Sequence, residues 1–190
     1  AFTATVRHEL VAVLAPLQGE ALLLTGDPAG AKAAVERLPP EGSPEVHAAF
    51  LSVRGRALMA ENKLDDAERT LREALALNPQ SITALVGTSA VALARQQLAV
   101  AQELAARAHA AHPTSPHPMI QAGDVSFVRG AFDESEEWFN KAVGLRRADW
   151  PEMVARLGRA RARIAAGRPA LKNRFDDQYR ARWGDLLVGI

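Results

Sequence analysis

AAFLSVRGRALMAENKLDDAERTLREALALNP, residues 48–79, recurs with variations on both sides of itself. Gly55, Ser89 and Gly123 stand 34 residues apart, as do Ala67, Ala101 and Ser135, and again Ala74, Ala108 and Ala142. Pro79 and Pro113 keep the same step. Each unit is long enough for two helices and a turn. The first helix carries a small residue, the second an alanine followed by large apolar residues, and a proline marks the exit. Units that cannot bury their apolar faces alone do so by stacking on their neighbours.

Outward from this unit the pattern weakens. Residues 3–14 place Val6, Leu10, Val11 and Leu14 at helical spacing, and Pro16 then either starts a new helix or kinks a long one, a break being the favoured reading. Gly26 ends a helix, and Asp27 before Pro28 is a cap and first position for the next, which carries Ala31 and Val35 and stops at Pro39 and Pro40. Ala31 lies 36 residues before Ala67, so this unit is read as a degenerate repeat with a two-residue insertion in the EGSP loop, residues 41–44. The third unit keeps Leu85, Ser89, Ala101, Ala108 and Pro113 but has Ala92 and Ala105 where larger residues are usual. It should pack closely or carry a shallow groove. The fourth opens at Pro116 and keeps Gly123, Gly130, Phe132, Phe139 and Ala142. A fifth runs from Pro151 to Gly167 and continues with Ala170 and Leu171; Phe175, Tyr179 and Trp183, four apart, form a terminal stripe that seals the last repeat or makes an oligomer or partner contact. The expectation is an all-α chain of ten or eleven helices.

These residues resemble the tetratricopeptide repeat family over about residues 12–183, with the closest match at Gly55, Leu58, Ala67, Leu71, Ala74 and Pro79. The resemblance implies one domain over residues 1–190, a right-handed superhelical solenoid of antiparallel helix pairs with about five repeats, at 12–40, 48–81, 82–115, 116–149 and 151–183. It further implies that the first helix of each pair lines a concave surface holding an extended peptide or partner helix. One subtype clamps a C-terminal carboxylate with lysines and asparagines, but here Ser52 and Arg56 stand at those positions. The implied function is a non-enzymatic protein-interaction scaffold. The second reading is a structural or self-oligomerising module in a larger assembly, since the alanine-leucine-arginine richness and GD-x-A-like turns resemble bacterial envelope repeat proteins.

Transferred onto this chain, the lining is Ser52, Arg56 and Met59, then Val86, Ala90 and Leu93, then His117, Ile120, Asp124 and Phe127, then Arg159 and Arg163. Of these, Arg56, Met59, Leu93, His117, Ile120, Asp124, Phe127, Arg159 and Arg163 are the candidate partner-binding residues. The lining is apolar in the middle and carries arginine at both sides. It suits a protein or peptide with apolar anchors and acidic flanks.

Composition narrows the other classes. With 48% hydrophobic and 24% charged residues the chain can bury a core, and no apolar run reaches the roughly 18–20 residues of a membrane span. It reads as soluble, with cytoplasm and periplasm both compatible. Ala1 is preceded by neither methionine nor a signal peptide, which reads as a processed chain or an excised fragment. There is no cysteine, so thiolate metal sites and disulfides are excluded. Net charge of +1 argues against binding nucleic acid through bulk charge, and the aromatics fall at core positions rather than as stacking platforms. Charge is nevertheless polarised: six Lys/Arg against eleven Asp/Glu in residues 61–137, twelve against five in 138–190.

Catalytic and cofactor signals are weak. Asp65, Asp66 and Glu68 read as complements to a helix N-terminus rather than paired catalytic carboxylates. TGDPAGAK lacks the G-x4-G-K-[ST] spacing of a phosphate loop. His109, His112 and His117 read as a polar helix end rather than a metal site. The run LGRARARIAAG places Arg156, Arg159 and Arg163 on one face, near Arg146, Arg147 and Arg168, and reads as a solvated arginine face, an acidic-partner site or a phosphate site. No enzyme and no cofactor are expected.

Overall fold

The computed structural model describes residues 4–36, 42–145 and 150–167, with side chains from residue 13 onward except those of Trp150 and Met153. Nine helices and no strand occur among them: α1 Ala4–Leu24, α2 Pro28–Glu36, α3 Pro44–Ala60, α4 Leu64–Leu77, α5 Ile82–Ala94, α6 Leu98–Ala111, α7 Pro116–Val128, α8 Phe132–Gly144 and α9 Trp150–Ala165. The terminal stripe of Phe175, Tyr179 and Trp183, together with Pro39, Pro40, Arg146, Arg147 and Arg168, lies outside the described residues. So do the side chains of Val6, Leu10 and Val11.

The helix starts follow from the capping residues. Asp27 Oδ1 accepts from the Gly30 N–H at 2.8 Å, Ser43 Oγ from Val46 at 3.4 Å and Ser81 Oγ from Ala84 at 3.3 Å. Pro28, Pro44 and Pro116 occupy first positions, where a missing N–H costs nothing. The expected break at Pro16 is absent, and α1 runs through it. Proline removes one N–H from the ladder, but breaking α1 would leave further backbone groups unpaired in a helix packed on α2 and α3.

Within each hairpin the turn is three residues long and its middle residue is left-handed: Gly26 (φ 79°), Asn62 (59°), Gln96 (60°) and Gly130 (77°). The next N–H bonds back into the first helix each time, as in Lys63 to the Leu58 carbonyl and Gln97 to the Ala92 carbonyl, both at 2.9 Å. Gln96 alone of the four is neither glycine nor asparagine, so its turn is strained.

α1, α3, α5, α7 and α9 form a row in which each packs on the next. α2, α4, α6 and α8 each pack on the inner helices before and after them, but not at backbone distance on one another. Contact along one layer and separation along the other curves the array, with the odd-numbered helices on the inside. Long side chains bridge the outer gap: His109 of α6 meets the Trp138 ring of α8 edge-on at 5.2 Å.

Small residues set the spacing. Ala67, Ala74, Ala101 and Ala108 are fully buried. Leu71 of α4 projects between α3 and α5, where a Cβ on Gly55 would lie 2.6 Å from its Cγ and one on Gly87 3.0 Å from its Cδ2. Phe139 of α8 sits likewise between Gly123 and Gly158, where added Cβ atoms would come within 2.8 and 2.4 Å of its ring. Ala105 holds the equivalent place in α6, and there the inner layer supplies the bulk. Ser89 replaces a glycine and donates to the Ala101 carbonyl at 2.7 Å, while Gln121 Nε2 donates to Ser89 Oγ at 3.1 Å. One unit further on the bond runs the other way, from Ser135 Oγ of α8 to the Gly123 carbonyl of α7 at 2.8 Å. Gly19, 36 residues before Gly55, is the first unit's small residue, since a Cβ there would lie 2.5 Å from Val53.

Two outcomes follow from this packing. Ala101→Leu should lower stability by about 1–3 kcal/mol through overpacking; a thermal melt matching the parent would remove Ala101 from the crossing. Gln96→Gly should raise stability by about 0.5–1 kcal/mol by relieving the left-handed turn, read from urea midpoints at an unchanged slope.

Candidate functional site

The inner helices use their buried sides to pack on each other and on the outer layer, which leaves one strip of each directed into the concavity. Met59 and Leu93 lie on that strip 34 residues apart, Phe127 34 further on, and Leu23 begins the row 36 residues before Met59. All four are half-buried. Met59 rests on the Leu58, Leu71 and Val91 cluster, and Leu93 on Ala92, Ala101 and Val125. The Phe127 ring lies 5.5 Å from that of Phe132 and tilted to it.

An ion pair bounds the row at the α1 end. Arg56 of α3 pairs with Glu20 of α1, with its stem against Gly87 of α5. At the other end Asp124 stands one turn before Phe127, and its carboxyl is pushed up to about 6 by burial, opposed by the attraction of Arg161. The Arg161 guanidinium lies 4.7 Å from the centroid of the Phe127 ring, within cation–π range. Arg161 is 34 residues beyond Phe127, so it is the fifth unit's counterpart in the same row.

Other expected residues sit elsewhere. Arg159 donates to Asn140 Oδ1 at 3.3 Å and Arg163 to Glu136 Oε1 at 2.7 Å, so both turn towards α8. Arg156 pairs with Glu152 one turn back along α9. The arginine face is thus drawn into the α8–α9 packing rather than spread in solvent. Ser52 is buried and donates to the Ala48 carbonyl at 2.6 Å, which removes it from the lining. Ile120 is half-buried against the Met119 and Phe139 cluster, and His117 is exposed in the first turn of α7.

The acidic start of α4 is taken up by arginines: Asp65 and Glu68 pair with Arg95, which caps the C-terminus of α5, and Asp66 with Arg69. His112 Nε2 lies 2.7 Å from the Gln80 carbonyl, tying two inter-repeat turns together. No cluster of three His, Cys, Asp or Glu with metal-binding geometry occurs among the described residues, and no described helix is long and apolar enough to cross a membrane.

Missing Arg161 has a definite cause. A helical wheel of α9 groups Arg156, Arg159 and Arg163, of which Arg159 and Arg163 bond to α8. The 34-residue step from Phe127 was the signal that could have singled out Arg161.

The Tetratricopeptide repeat family model matches residues 52–116. No curated protein matches in sequence. Among solved structures, TTC0263, a thermophilic TPR protein in Thermus thermophilus, is 20% identical with a TM-score of 0.69, over 93% of this chain and 90% of that one. MamA from Desulfovibrio magneticus, residues 41 to the end, is 17% identical with a TM-score of 0.56, over 93% and 94%. The first TPR of Spaghetti (RPAP3), bound to the HSP90 peptide SRMEEVD, is 15% identical with a TM-score of 0.56, over 65% and 95%. The family's repeat thus lies at the centre of the chain, over residues 52–116, and the fold along its length is the helical solenoid of tetratricopeptide repeat proteins.

Proposed function

We propose that this chain is a non-enzymatic protein-interaction scaffold that holds a partner segment along the Met59, Leu93 and Phe127 row. The observation that carries the reading is that row: one half-buried apolar side chain per inner helix, closed at each end by an arginine beside a carboxylate. Packed helices lie about 8–10 Å apart, and a segment extended as a polyproline II helix rises about 3.1 Å per residue and faces the same way at every third one. Successive apolar positions therefore fit every third residue of an extended segment. Arg56 and Arg161 suit acidic residues flanking those anchors, since charge orients a segment whose affinity comes from apolar burial. The likeness to repeats bound to an HSP90 peptide supports peptide capture by this fold, although a lysine-asparagine clamp does not carry over to Ser52 and Arg56. Arg159 and Arg163, held against α8, would act by positioning α9 and with it Arg161.

The test is selection of binders from a displayed library of random 12-residue peptides, followed by affinity measurement at low and high salt. Selected peptides should share apolar residues at every third position with acidic neighbours. Phe127→Ala should weaken them about 5- to 30-fold at either salt, and Arg161→Ala mainly at low salt. Peptides that bind both variants as tightly as the parent would place the site outside the groove.

Asp124 supplies an independent readout. Its folded-state pKa is raised, so the folded form binds the proton more tightly than the unfolded chain; its contribution favours folding at low pH and is lost as pH rises from about 4 to about 6. Asp124→Asn should be the more stable chain at pH 7.5, by on the order of 1 kcal/mol, and should lose that advantage near pH 4. Urea titrations of both chains across this range check it; a difference that stays constant with pH would mean that Asp124 is solvated.

A further inference from the structure

The outer side of α1 breaks the rule obeyed by every later inner helix. Leu14, Leu17 and Ala21 stand 36 residues before Phe50, Val53 and Ala57, which are 2%, 1% and 0% exposed because they pack against the preceding hairpin. The next two units bury Ala84 and Val91, then Pro118 and Val125, at the corresponding places. In α1 the same positions are leucine, leucine and alanine, yet Leu14 is 55% and Leu17 61% exposed. Leu24 and Val13 are more than half exposed as well. A repeat face left in water ordinarily carries polar residues. This one carries core residues.

The spacing specifies what can cover them. Leu10, Leu14, Leu17, Ala21 and Leu24 recur at steps of four, three, four and three, the seam pattern of paired helices. The pattern is nearly symmetric about Leu17, with Leu10 and Leu24 seven residues to either side. A twofold axis through Leu17 would thus lay each stripe on an antiparallel copy of itself, the self-complementarity a closed dimer needs. From residue 10 to residue 24 the helix carries one charged side chain, Glu20, already paired with Arg56, so closure buries no uncompensated charge.

We propose that the exposed stripe of α1 is a homodimer face, on which two copies pair α1 antiparallel to α1 with Leu17 at the twofold axis. Contact through one helix of each copy belongs to the small, transient class of specific interfaces, for which dissociation on the order of micromolar is expected. This face is the outer side of α1, separate from the concave row, and stands whether or not the groove holds a peptide.

Sedimentation velocity of the 190-residue chain from about 5 to about 500 µM, concentrations bracketing that range, should follow a monomer–dimer equilibrium, and Leu17→Glu should remain monomeric throughout. The absence of cysteine makes a second measurement clean. Leu17→Cys under mild oxidation should form a covalent dimer at least tenfold faster than Val100→Cys, which is similarly exposed on α6. A parent chain that stays monomeric overturns the proposal and leaves the face to another segment or protein. An association that Leu17→Glu does not weaken overturns it too. Equal cross-linking of the two cysteine variants overturns the antiparallel geometry, and because Leu17→Cys keeps an uncharged side chain at an exposed position, that result holds even if Leu17→Glu disturbs the fold.

Discussion

Everything in this array depends on one steric relation, a side chain of an outer helix entering the space left by missing side chains on two inner helices. At Leu71 and Phe139 that space exists because glycines face the projecting group from both sides. A buried leucine or phenylalanine is worth about 1.5–3 kcal/mol, gained here only if the inner helices come close enough to enclose it. The middle unit reaches the same density by the opposite assignment, with Ala105 outside and Ser89 with Gln121 inside. What the repeat holds constant is the filled volume at each crossing, not the identity of the residue that fills it. The polar substitutes are tolerated because each buried donor has an acceptor, Gln121 on Ser89 and Ser89 on a backbone carbonyl.

This relation explains which parts of the fold could be read from the sequence. Crossings tolerate few side chains, so Ala67, Ala74, Ala101 and Ala108 announced themselves by recurring at one interval, and all four are buried. The cap at Asp27 was legible for a similar reason, since few residue types satisfy an open helix end. Pro16 misled because local chemistry argues for a break there, whereas the packing of α1 on α2 and α3 acts over the whole helix. Gly19 stayed hidden behind a two-residue offset. Gln121 gave no signal at all: a polar residue in an inner helix reads as surface until the alanine opposite it is known to leave a gap.

The concave row was partly legible, and its limits have a physical origin. Met59, Leu93 and Phe127 keep the repeat interval because the curvature places the same turn of each inner helix along one line. Charged residues are freer. A long arginine side chain takes whichever carboxylate or ring is nearest, so neither period nor helical wheel fixes its direction. Arg159 and Arg163 went to Asn140 and Glu136, and Arg161 to Phe127 and Asp124. Position along the helix was readable; the choice among neighbours belongs to tertiary structure.

The exposed leucines of α1 and the raised carboxyl of Asp124 are two local departures that the folding of the array does not require. The packing needs no ionisable group at Asp124: Ala90 holds the same position in the third unit. It also needs no leucine at Leu14 or Leu17, where a polar side chain would leave the contacts of α1 with α2 and α3 intact. Each feature therefore has a cost in the isolated chain, the first in desolvation of a carboxylate and the second in apolar area left in water. Surface and groove positions free of packing duty drift towards polar, uncoupled residues when nothing binds them. Asp124 and the leucines of α1 depart from that tendency, one on the inside of the curve and the others on the outer side of α1. On the two proposals above, both departures serve association rather than folding.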